Sequence, residues 1–425
     1  MKGPILYASV LLLSLSLCIG CNEDDGRNTI ILENGYYFNG KIFVPFGELI
    51  IKNDKIVAIS SNKSKRNGQR IPLNGKYVIP GLIDAHVHLG SSPLGLAAPS
   101  TTEYNANSCL NCGVTTVIDL FYPENKCRVL KQVLRRVPAY YTSPVMAGPI
   151  LTAPGGHGTE YQIPTRTITS VNEAEHITND VIDSGADVIK LVYNYYYDPQ
   201  HALNYDMLKH IVGVAHKRHK KVFAHINLTA EAIECADAGV DVLAHIPSDS
   251  FTNEQLHKLK ASGIILTPTI TIMQVYSEGF DSTYLSDPLL HKTGNPAYLS
   301  GFGNTALPAL APYIRYCSRI NLRNCIKYKI PILAGTDAGN PYVFYGYSLH
   351  NEIQQYVKEG MTNAEALCSA TENIQLVFSD CKTGKIKEGY DADLVILNAD
   401  PLDNISNTKS IEMVFHKGQL AKMLK

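Results

Sequence analysis

The sequence predicts an α/β fold in which eight parallel strands alternate with helices and close into a (β/α)8 TIM barrel. One local pattern recurs along the chain: a helix-like stretch, a glycine, and then four to six mostly apolar residues that end in a polar group. Near-continuous apolar runs are typical of parallel strands that are buried on both faces. Their alternation with amphipathic stretches is typical of repeated βα units.

Eight such runs follow one another in the chain. The predicted strands are residues 83–89, 115–121, 140–147, 187–193, 222–226, 242–246, 264–270 and 331–337. Amphipathic stretches between them predict helices over residues 172–184, 206–217 and 229–238. Gly113, Gly185 and Gly239 each precede a run, and they suit the left-handed residue that ends many helices. The repeat therefore predicts βα units and not separate domains.

The first run carries a pattern that suits a metal ion. Successive side chains of a strand point to opposite faces, so Asp84, His86 and His88 are expected on one face and the apolar residues between them on the other. Imidazole nitrogen binds zinc and similar divalent ions, and this spacing lets both rings reach one ion. On this pattern alone, a pair of hydrogen-bonded polar residues remains an alternative.

Four later runs end in residues that complete a ligand set. These residues are Lys190, His225, His245 and Asp337. Taken singly, each has a simpler explanation. Lys190 would be a lysine that pairs with a carboxylate, His225 and His245 would make capping or core hydrogen bonds, and Asp337 would be a turn residue. Closure into a barrel would instead bring all these strand ends together at one mouth, where barrels hold their reactive groups. The metal centre is therefore the favoured interpretation.

At this level of detail the chain resembles the amidohydrolase superfamily, in the branch that holds imidazolonepropionase-like enzymes and metal-dependent prolidases. The resemblance spans nearly everything after residue 27. It is carried by residues 78–88, 154–158, 223–225, 238–245, 334–339 and 384–397. It implies that residues 27–79 and 385–425 join into a small β-sandwich domain, and that residues 80–384 form the hydrolase barrel.

The resemblance also implies a set of ligands for two divalent metal ions. Zinc is the expected metal, and manganese and iron are the alternatives. It places His86, His88 and Asp337 on the buried ion, His225 and His245 on the more exposed ion, and Lys190 between the two. Lys190 would bridge as N6-carboxylysine, after its neutral amine adds carbon dioxide. Burial lowers a lysine pKa and favours that neutral form. Imidazolonepropionase lacks a bridging lysine, so Lys190 favours the two-metal, peptidase-like branch.

Two divalent ions lower the pKa of a bridging water towards neutrality, so that hydroxide is available to attack a carbonyl. Asp337 would take the proton and pass it to the departing nitrogen. We therefore expect a metal-dependent hydrolase that cleaves an amide or peptide-like C–N bond, with prolidase or dipeptidase activity. A cyclic amide or lactone hydrolase is one alternative. A non-catalytic ligand-binding lipoprotein is another, although its intact ligand set argues against it.

Two residues are candidates for binding the small-molecule or dipeptide-like substrate. His157 lies among glycines at residues 155–158, which free the backbone near a ligand, although a loop turn with a solvated imidazole is the alternative. Tyr193 opens an aromatic run just past Lys190, and its hydroxyl is suited to binding an oxyanion. A packed aromatic loop is the alternative there. The long stretch 271–308 is predicted to be a loop that acts as a lid, and a disordered insertion is the alternative.

The first residues predict export. Residues 1–20 have the basic start and apolar run of a signal peptide, and the run is too short to span a membrane comfortably. Cys21 follows Gly20 as in a lipobox, so residues 21–26 are expected to be a lipidated acidic tether. An ordinary signal peptide and an uncleaved anchor are the alternatives. All three alternatives place the protein outside the cytoplasm. The only contact with a bacterial membrane that we expect is through the N-terminal anchor.

Composition is consistent with this function. A chain of 425 residues with 45% hydrophobic content can bury one barrel core and a small second domain. The formal net charge of −1 and the absence of a basic run argue against a nucleic-acid partner. Eight cysteines remain beside Cys18 and Cys21, which allows disulfides in an oxidising compartment, and Cys109 and Cys112 are predicted to be structural. A homo-oligomer is left open.

Overall fold

The computed structural model describes residues 28–91, 102–161, 163–195, 199–296, 299 and 312–424. The predicted signal peptide and tether, including Cys21, lie outside these ranges. Among the helices in these ranges, none combines the length and the hydropathy that crossing a membrane requires.

Both ends of the chain contribute strands to one mixed sheet. Its strands are β1 (Thr29–Phe38), β2 (Phe43–Lys52), β3 (Lys55–Ser60), β4 (Gln69–Pro72), β5 (Tyr77–Pro80), β15 (Leu394–Leu397), β16 (Ile411–His416) and β17 (Gln419–Leu420). The order is β17-β16-β15-β5-β1-β2-β3, and β4 pairs with β1. The contact between the two ends is β5 against β15, where Val78 lies opposite Ile396. The described strands of these segments form a single hydrogen-bonded sheet, so the sandwich stays a prediction.

The sheet has a core of its own that draws on both ends. Leu32 and Leu49 from the first segment pack with Leu394 and Phe415 from the last, and all four side chains are at most 1% exposed. Burial of this size favours association of the two segments through the hydrophobic effect. The first and last parts of the chain thus fold against each other.

The middle of the chain forms parallel strands that alternate with helices. One sheet contains β6 (Leu82–Val87), β7 (Val114–Asp119) and β8 (Ser143–Met146). A second has the order β10-β9-β11-β12-β13-β14, from β9 (Leu151–Thr152), β10 (Arg166–Thr167), β11 (Ile189–Val192), β12 (Val222–His225), β13 (Val242–Ala244) and β14 (Ile265–Thr267). The α/β class and the parallel pairing are confirmed.

Hydrogen bonds link these sheets to each other. The amide of Asp187 donates to Met146 O at 2.8 Å, which joins the third and fourth runs. Residues 331–338 form isolated bridges and no continuous strand. They nevertheless connect the seventh run to the first, because Leu333 N donates to Leu266 O at 3.0 Å and Ala85 N donates to Ala334 O at 2.9 Å.

One apolar cluster, called the inner cluster below, takes side chains from all eight predicted runs. It contains Ile83, Ala85, Ile118, Leu120, Ala147, Val188, Phe223, Val242, Ile265 and Leu333, together with Ile374 and Val377. All of them are at most 5% exposed. The inner cluster lies below the ends of the strands that carry the candidate ligands.

The helices fill the intervals between the strands. They are α1 (Thr102–Asn111), α2 (Glu124–Arg136), α3 (Val171–Asp183), α4 (Tyr205–Lys217), α5 (Thr229–Ala238), α6 (Asn253–Ser262), α7 (Ile270–Glu278), α8 (Pro288–Thr293), α9 (Pro312–Lys327), α10 (Tyr347–Lys358), α11 (Asn363–Ser369) and α12 (Ile374–Val377). The predictions for α3, α4 and α5 are correct to within one residue at each end. Gly113, Gly185 and Gly239 have φ of +81°, +109° and +83°, as predicted.

One prediction needs correction. The stretch 271–308 is not an irregular loop in its first part, since α7, a short 3-10 helix at Ser282–Ser286 and α8 occupy it. Residues 297–298 and 300–308 of that stretch lie outside the described part. Disulfides were left open by the sequence, and none of the eight cysteines in the described ranges forms one. Cys109 and Cys112 are both buried in apolar surroundings, which is consistent with the predicted structural role.

Candidate metal centre

A bulge in β6 sets the direction of His86 and of His88, which follows the strand. Three steps along β6, from Asp84 to Val87, match two steps along β7, so one residue of β6 is extra. An extra residue reverses the alternation of side chains. Ala85 consequently points into the inner cluster, while His86 and His88 after it line a cavity. The expectation that Asp84 shares their face is wrong, because Asp84 is not among the described residues that line this cavity.

The six predicted ligands come together in that cavity. They are His86, His88, Lys190, His225, His245 and Asp337. Oδ1 of Asp337 lies 2.8 Å from Nε2 of His88 and 3.3 Å from Nε2 of His86. The rings of His86 and His245 have centroids 4.9 Å apart, and those of His225 and His245 are 4.5 Å apart. One ligand atom from each of His86, His245 and Asp337 fits within a 4.8 Å span.

Burial sets the protonation of these groups. It lowers the pKa of His86 and His225 well below the ordinary value, and that of His245 to about 3. These imidazoles are therefore neutral near pH 7 and have a nitrogen lone pair to offer. Burial alone would raise the Asp337 pKa, but the neighbouring His86 and His88 outweigh it and hold that pKa well below its usual range. Asp337 is thus a carboxylate.

Lys190 has an unusual environment for a lysine. The residue is 2% exposed, and its Nζ has no hydrogen-bond partner among the described residues. Burial lowers the pKa of its amine to about 7, so a large neutral fraction exists at physiological pH. A buried amine without a partner is costly in a purely structural role. Neutral imidazoles, a carboxylate and this amine together form a donor set that suits divalent metal ions.

A buried carboxylate holds the first and eighth runs together. Asp84, which is fully buried, accepts hydrogen bonds from Thr336 Oγ1 at 2.6 Å, Thr336 N at 3.0 Å and His86 N at 3.2 Å. Burial raises the pKa of Asp84 to about 7. The amide of Asp337 in turn donates to His86 O at 2.7 Å. These bonds fix Asp337 beside His86 and His88.

Gly335 makes this close approach possible. A Cβ at that position would lie 2.5 Å from Cγ2 of Thr267 and 2.8 Å from the backbone nitrogen of His86. Both distances are well inside van der Waals contact. The eighth run can therefore approach both neighbours only with glycine at this position.

The backbone is strained around the site. His245, Thr269 and Asp337 have φ of +76°, +49° and +65°, a region that residues other than glycine rarely adopt. Strain of this kind concentrates at functional sites and persists only where the surroundings enforce it. Oγ1 of Thr269 lies 2.8 Å from Nδ1 of His245, which leaves Nε2 of that ring for a ligand. The threonine thus fixes the orientation of His245.

A second buried carboxylate supports the segment that follows His88. Asp119, at the end of the second run, accepts hydrogen bonds from Leu89 N at 2.8 Å and Phe121 N at 3.0 Å. Burial raises its pKa to about 7. Neither Asp119 nor Thr269 was predicted to belong to the site. Asp119 could have been suspected, because it closes an apolar run in the same way as Lys190 and His245 do.

The cavity above the ligands has a volume of about 600 Å³, which suits a small molecule. His157, a predicted substrate residue, lines it, and its ring centroid lies 4.6 Å from that of His225. Tyr193 is 1% exposed and its hydroxyl donates to Glu234. It is not among the described residues that line the cavity, so its predicted role in binding substrate is not supported by this geometry.

Comparison with known proteins gives a consistent picture. The model of the amidohydrolase family matches residues 77–421. The chain is similar to an ochratoxinase of Aspergillus niger, with 24% identity over 434 aligned positions that cover 88% of this chain and 82% of that protein.

Among solved structures, the chain is similar to a Xaa-Pro dipeptidase with methionine bound in its active site. The TM-score is 0.76 at 20% identity, over 93% of this chain and 100% of the other. A putative prolidase from Bifidobacterium longum also gives 0.76, at 21% identity, over 93% and 94% of the two chains. At such identities the likeness shows a shared fold.

Proposed function

Since the chain belongs to the amidohydrolase family, we propose that it is a metal-dependent hydrolase that cleaves an amide or peptide-like C–N bond. The observation that carries the proposal is the convergence of six potential ligands, from five separate segments, in one cavity. The names of its relatives agree with this bond type, since they include a dipeptidase and a putative prolidase.

The donor set supports two metal ions. His86, His88 and Asp337 would hold one ion, and His225 and His245 would hold the other. Lys190, as a carbamate, would supply an oxygen to each; its partnerless buried amine supports this modification. Divalent ions bound here would acidify a water molecule and polarise the substrate carbonyl. Zinc is the expected metal, with manganese or iron as alternatives.

Asp337 is suited to move the proton in this reaction. Its carboxylate is ionised, and its Oδ1 faces the histidines at the bottom of the cavity. During attack, the water oxygen bonds to the carbonyl carbon and a water proton passes to Asp337. The C–N bond then breaks, and Asp337 gives that proton to the departing nitrogen. The products are a carboxylic acid and an amine.

The same proposal includes closure of the eight segments into a barrel. The hydrogen bonds of Asp187 to Met146 and of Leu333 to Leu266 support it, because they join sheets that would otherwise have open edges. The inner cluster supports it as well, since each of the eight segments contributes to it. In a closed barrel the ends of the strands share one mouth, which would account for the convergence of the ligands.

We further propose that the protein is exported and anchored through a lipid on Cys21. The support is the signal-peptide pattern of residues 1–20 and the Gly20-Cys21 pair. Metabolic labelling with an alkyne fatty acid tests this, and the label should be absent in a Cys21→Ser variant. A wild-type protein that stays unlabelled in the cytoplasmic fraction would contradict the proposal.

The central experiment measures metal content and hydrolysis together. Protein loaded with zinc or manganese should contain about two equivalents of metal per chain by elemental analysis. With 13C-bicarbonate it should show a carbamate signal by NMR, and the Lys190→Met variant should lack it. The loaded enzyme should release amine from at least one member of a panel of dipeptides, N-acyl amino acids, aryl amides and cyclic amides. One equivalent of metal or less, with an unmodified Lys190, would refute the two-metal centre. Absence of turnover across the panel would favour a binding protein.

A further inference from the structure

The walls of the cavity are largely apolar next to the ligands. On one side, Phe121, Ile150, Ile163 and Val192 form a compact cluster, and the first, second and fourth of these are at most 5% exposed. The ring of Phe121 meets that of His88 edge-on, with centroids 6.3 Å apart. This apolar wall therefore begins directly beside a metal ligand.

A second apolar part of the lining comes mainly from α7. Ile272 is 1% exposed, and Met273 and Tyr276 from the same helix also face the cavity. Ile246 and Ile314 continue this surface. These two apolar parts of the lining, in a cavity of about 600 Å³, favour a substrate with a bulky apolar group, because its burial is driven by the hydrophobic effect.

Cationic side chains are scarce in this cavity. Among the described residues that line it, Lys190 is the only lysine or arginine, and it belongs to the ligand set. His157 is already paired, since its Nδ1 lies 2.7 Å from a carboxylate oxygen of Glu160. The remaining polar lining outside the ligand set consists of uncharged asparagine, serine and tyrosine side chains, such as Asn194, Asn227 and Ser248.

The internal segments outside the described ranges do not alter this balance. Residues 92–101, 162, 196–198, 297–298 and 300–311 contain neither lysine nor arginine. Arg315 follows the lining residue Ile314, its side chain lies outside the described part, and its contribution is tested by substitution below.

From these observations we infer that the substrate is an amide with a bulky apolar group and no free carboxylate; this inference rests on the proposed function. A free dipeptide carries a carboxylate in addition to its scissile amide. The ions would be engaged by their ligands, the water and the scissile carbonyl, and the described lining beyond the ligand set supplies no lysine or arginine for that carboxylate, so its burial is costly. The uncharged polar groups suit the carbonyl and N–H groups of a neutral amide. Aryl amides and C-terminally capped peptides therefore fit the cavity better than free dipeptides.

A matched pair of compounds tests the inference. N-benzoyl-phenylalaninamide and N-benzoyl-phenylalanine share the same benzoyl–nitrogen bond and differ in charge. With the metal-loaded enzyme, kcat/KM for benzoate release should be at least 10-fold higher for the neutral compound. Calorimetry on the metal-loaded protein with the N-benzenesulfonyl analogues of the two compounds, which lack the scissile amide, should show at least 10-fold tighter binding of the neutral analogue. Equal or better use of the acid in both measurements would overturn the inference. Benzoate release from neither compound, with the binding preference intact, would instead count against the proposed function alone.

Variants make the charge argument specific. Met273→Lys should shift the preference toward the acid by at least 10-fold, whereas Met273→Gln, of similar size, should leave it unchanged. Ile163→Lys repeats the test in the Phe121 cluster if the first variant folds poorly. The inference is wrong if neither Met273→Lys nor Ile163→Lys changes the preference. It is also wrong if Arg315→Gln, as a single substitution, abolishes measurable binding of the acid, because Arg315 would then be the cation that binds the carboxylate.

Discussion

Nδ1 of His245 lies 2.8 Å from Oγ1 of Thr269, and both residues have a positive φ. Thr269 immediately precedes α7, the helix that forms one wall of the cavity. A single threonine thus links the orientation of a candidate metal ligand to the start of a substrate-facing helix. Groups that orient a ligating histidine in this way typically change metal affinity 10–100-fold when removed.

The first prediction follows from that contact. Thr269→Ala should weaken binding of one metal ion by about 10-fold or more, because the His245 ring loses its hydrogen-bonding partner. Thr269→Ser keeps the hydroxyl and should retain most of the affinity. Competition with a chromophoric chelator measures both variants. Equal metal affinities in the alanine and serine variants would show that the contact has no effect on binding.

The second prediction concerns Glu352 in α10, whose carboxylate accepts hydrogen bonds from the first backbone amides of α7. Oε1 accepts hydrogen bonds from Ile270 N at 2.7 Å and Tyr356 OH at 2.8 Å, and Oε2 accepts from Thr271 N at 2.7 Å and Thr271 Oγ1 at 2.6 Å. In Glu352→Gln, either orientation of the amide sets its NH2 against a backbone N–H. The free energy of unfolding should fall by about 1–3 kcal/mol.

Chemical denaturation measures this loss. The exposed Glu254→Gln change in α6 is the matched control and should alter stability by less than about 0.5 kcal/mol. Because α7 lines the cavity, Glu352→Gln should also raise KM more than it lowers kcat. A variant as stable as the control would mean that the carboxylate does not hold the helix.

The third prediction concerns the approach of the eighth run to the first. Gly335→Ala should destabilise the protein and reduce the metal content, because the added methyl would overlap Thr267 and the backbone of His86. Gly213→Ala is the control, since a Cβ at that position in α4 meets nothing within 4 Å. Alanine there should stabilise the helix by up to about 1 kcal/mol. Thermal unfolding and elemental analysis would separate the two variants, and normal metal content in Gly335→Ala would contradict the steric argument.

The fourth prediction concerns stability in acid. Asp393 accepts from His416 Nδ1 at 2.8 Å and from Lys417 N at 2.8 Å. Burial alone would raise the pKa of Asp393, but His416 and Lys417 outweigh it and lower that pKa to about 2. A carboxyl whose pKa is lower in the folded state stabilises the protein above its unfolded pKa of about 4. The contribution of about 2 kcal/mol is lost as the pH falls from about 4 to about 2.

Unfolding free energies between pH 5 and pH 2 test this. Asp393→Asn should be less stable at pH 5, and its stability should fall less over the acid range than that of the parent protein. Asp380→Asn, at an exposed position, should follow the parent curve. If Asp393→Asn and the parent lose stability in parallel, the pair with His416 is not responsible for the acid sensitivity.

Local sequence determined a large part of this protein. Apolar runs set the positions of the parallel strands, and a glycine before a run set the end of a helix, since both depend on burial and backbone conformation over a few residues. The convergence of the six candidate ligands in one cavity could also be predicted, because these residues lie at the ends of apolar runs. The family resemblance is confirmed.

The tertiary structure decided what depends on contacts between distant segments. The bulge in β6 arises from pairing with β7, and it separates Asp84 from His86 and His88. Tyr193 was expected to reach the substrate, but Glu234, 41 residues further on, accepts its hydroxyl. Thr269 and Glu352 have no distinctive local pattern. Thr269 acts through its hydrogen bond to His245, and Glu352 acts through its hydrogen bonds to the start of α7. Both contacts form only in the packed chain, because hydrophobic periodicity predicts which face of an element is buried but not which atoms that face contacts.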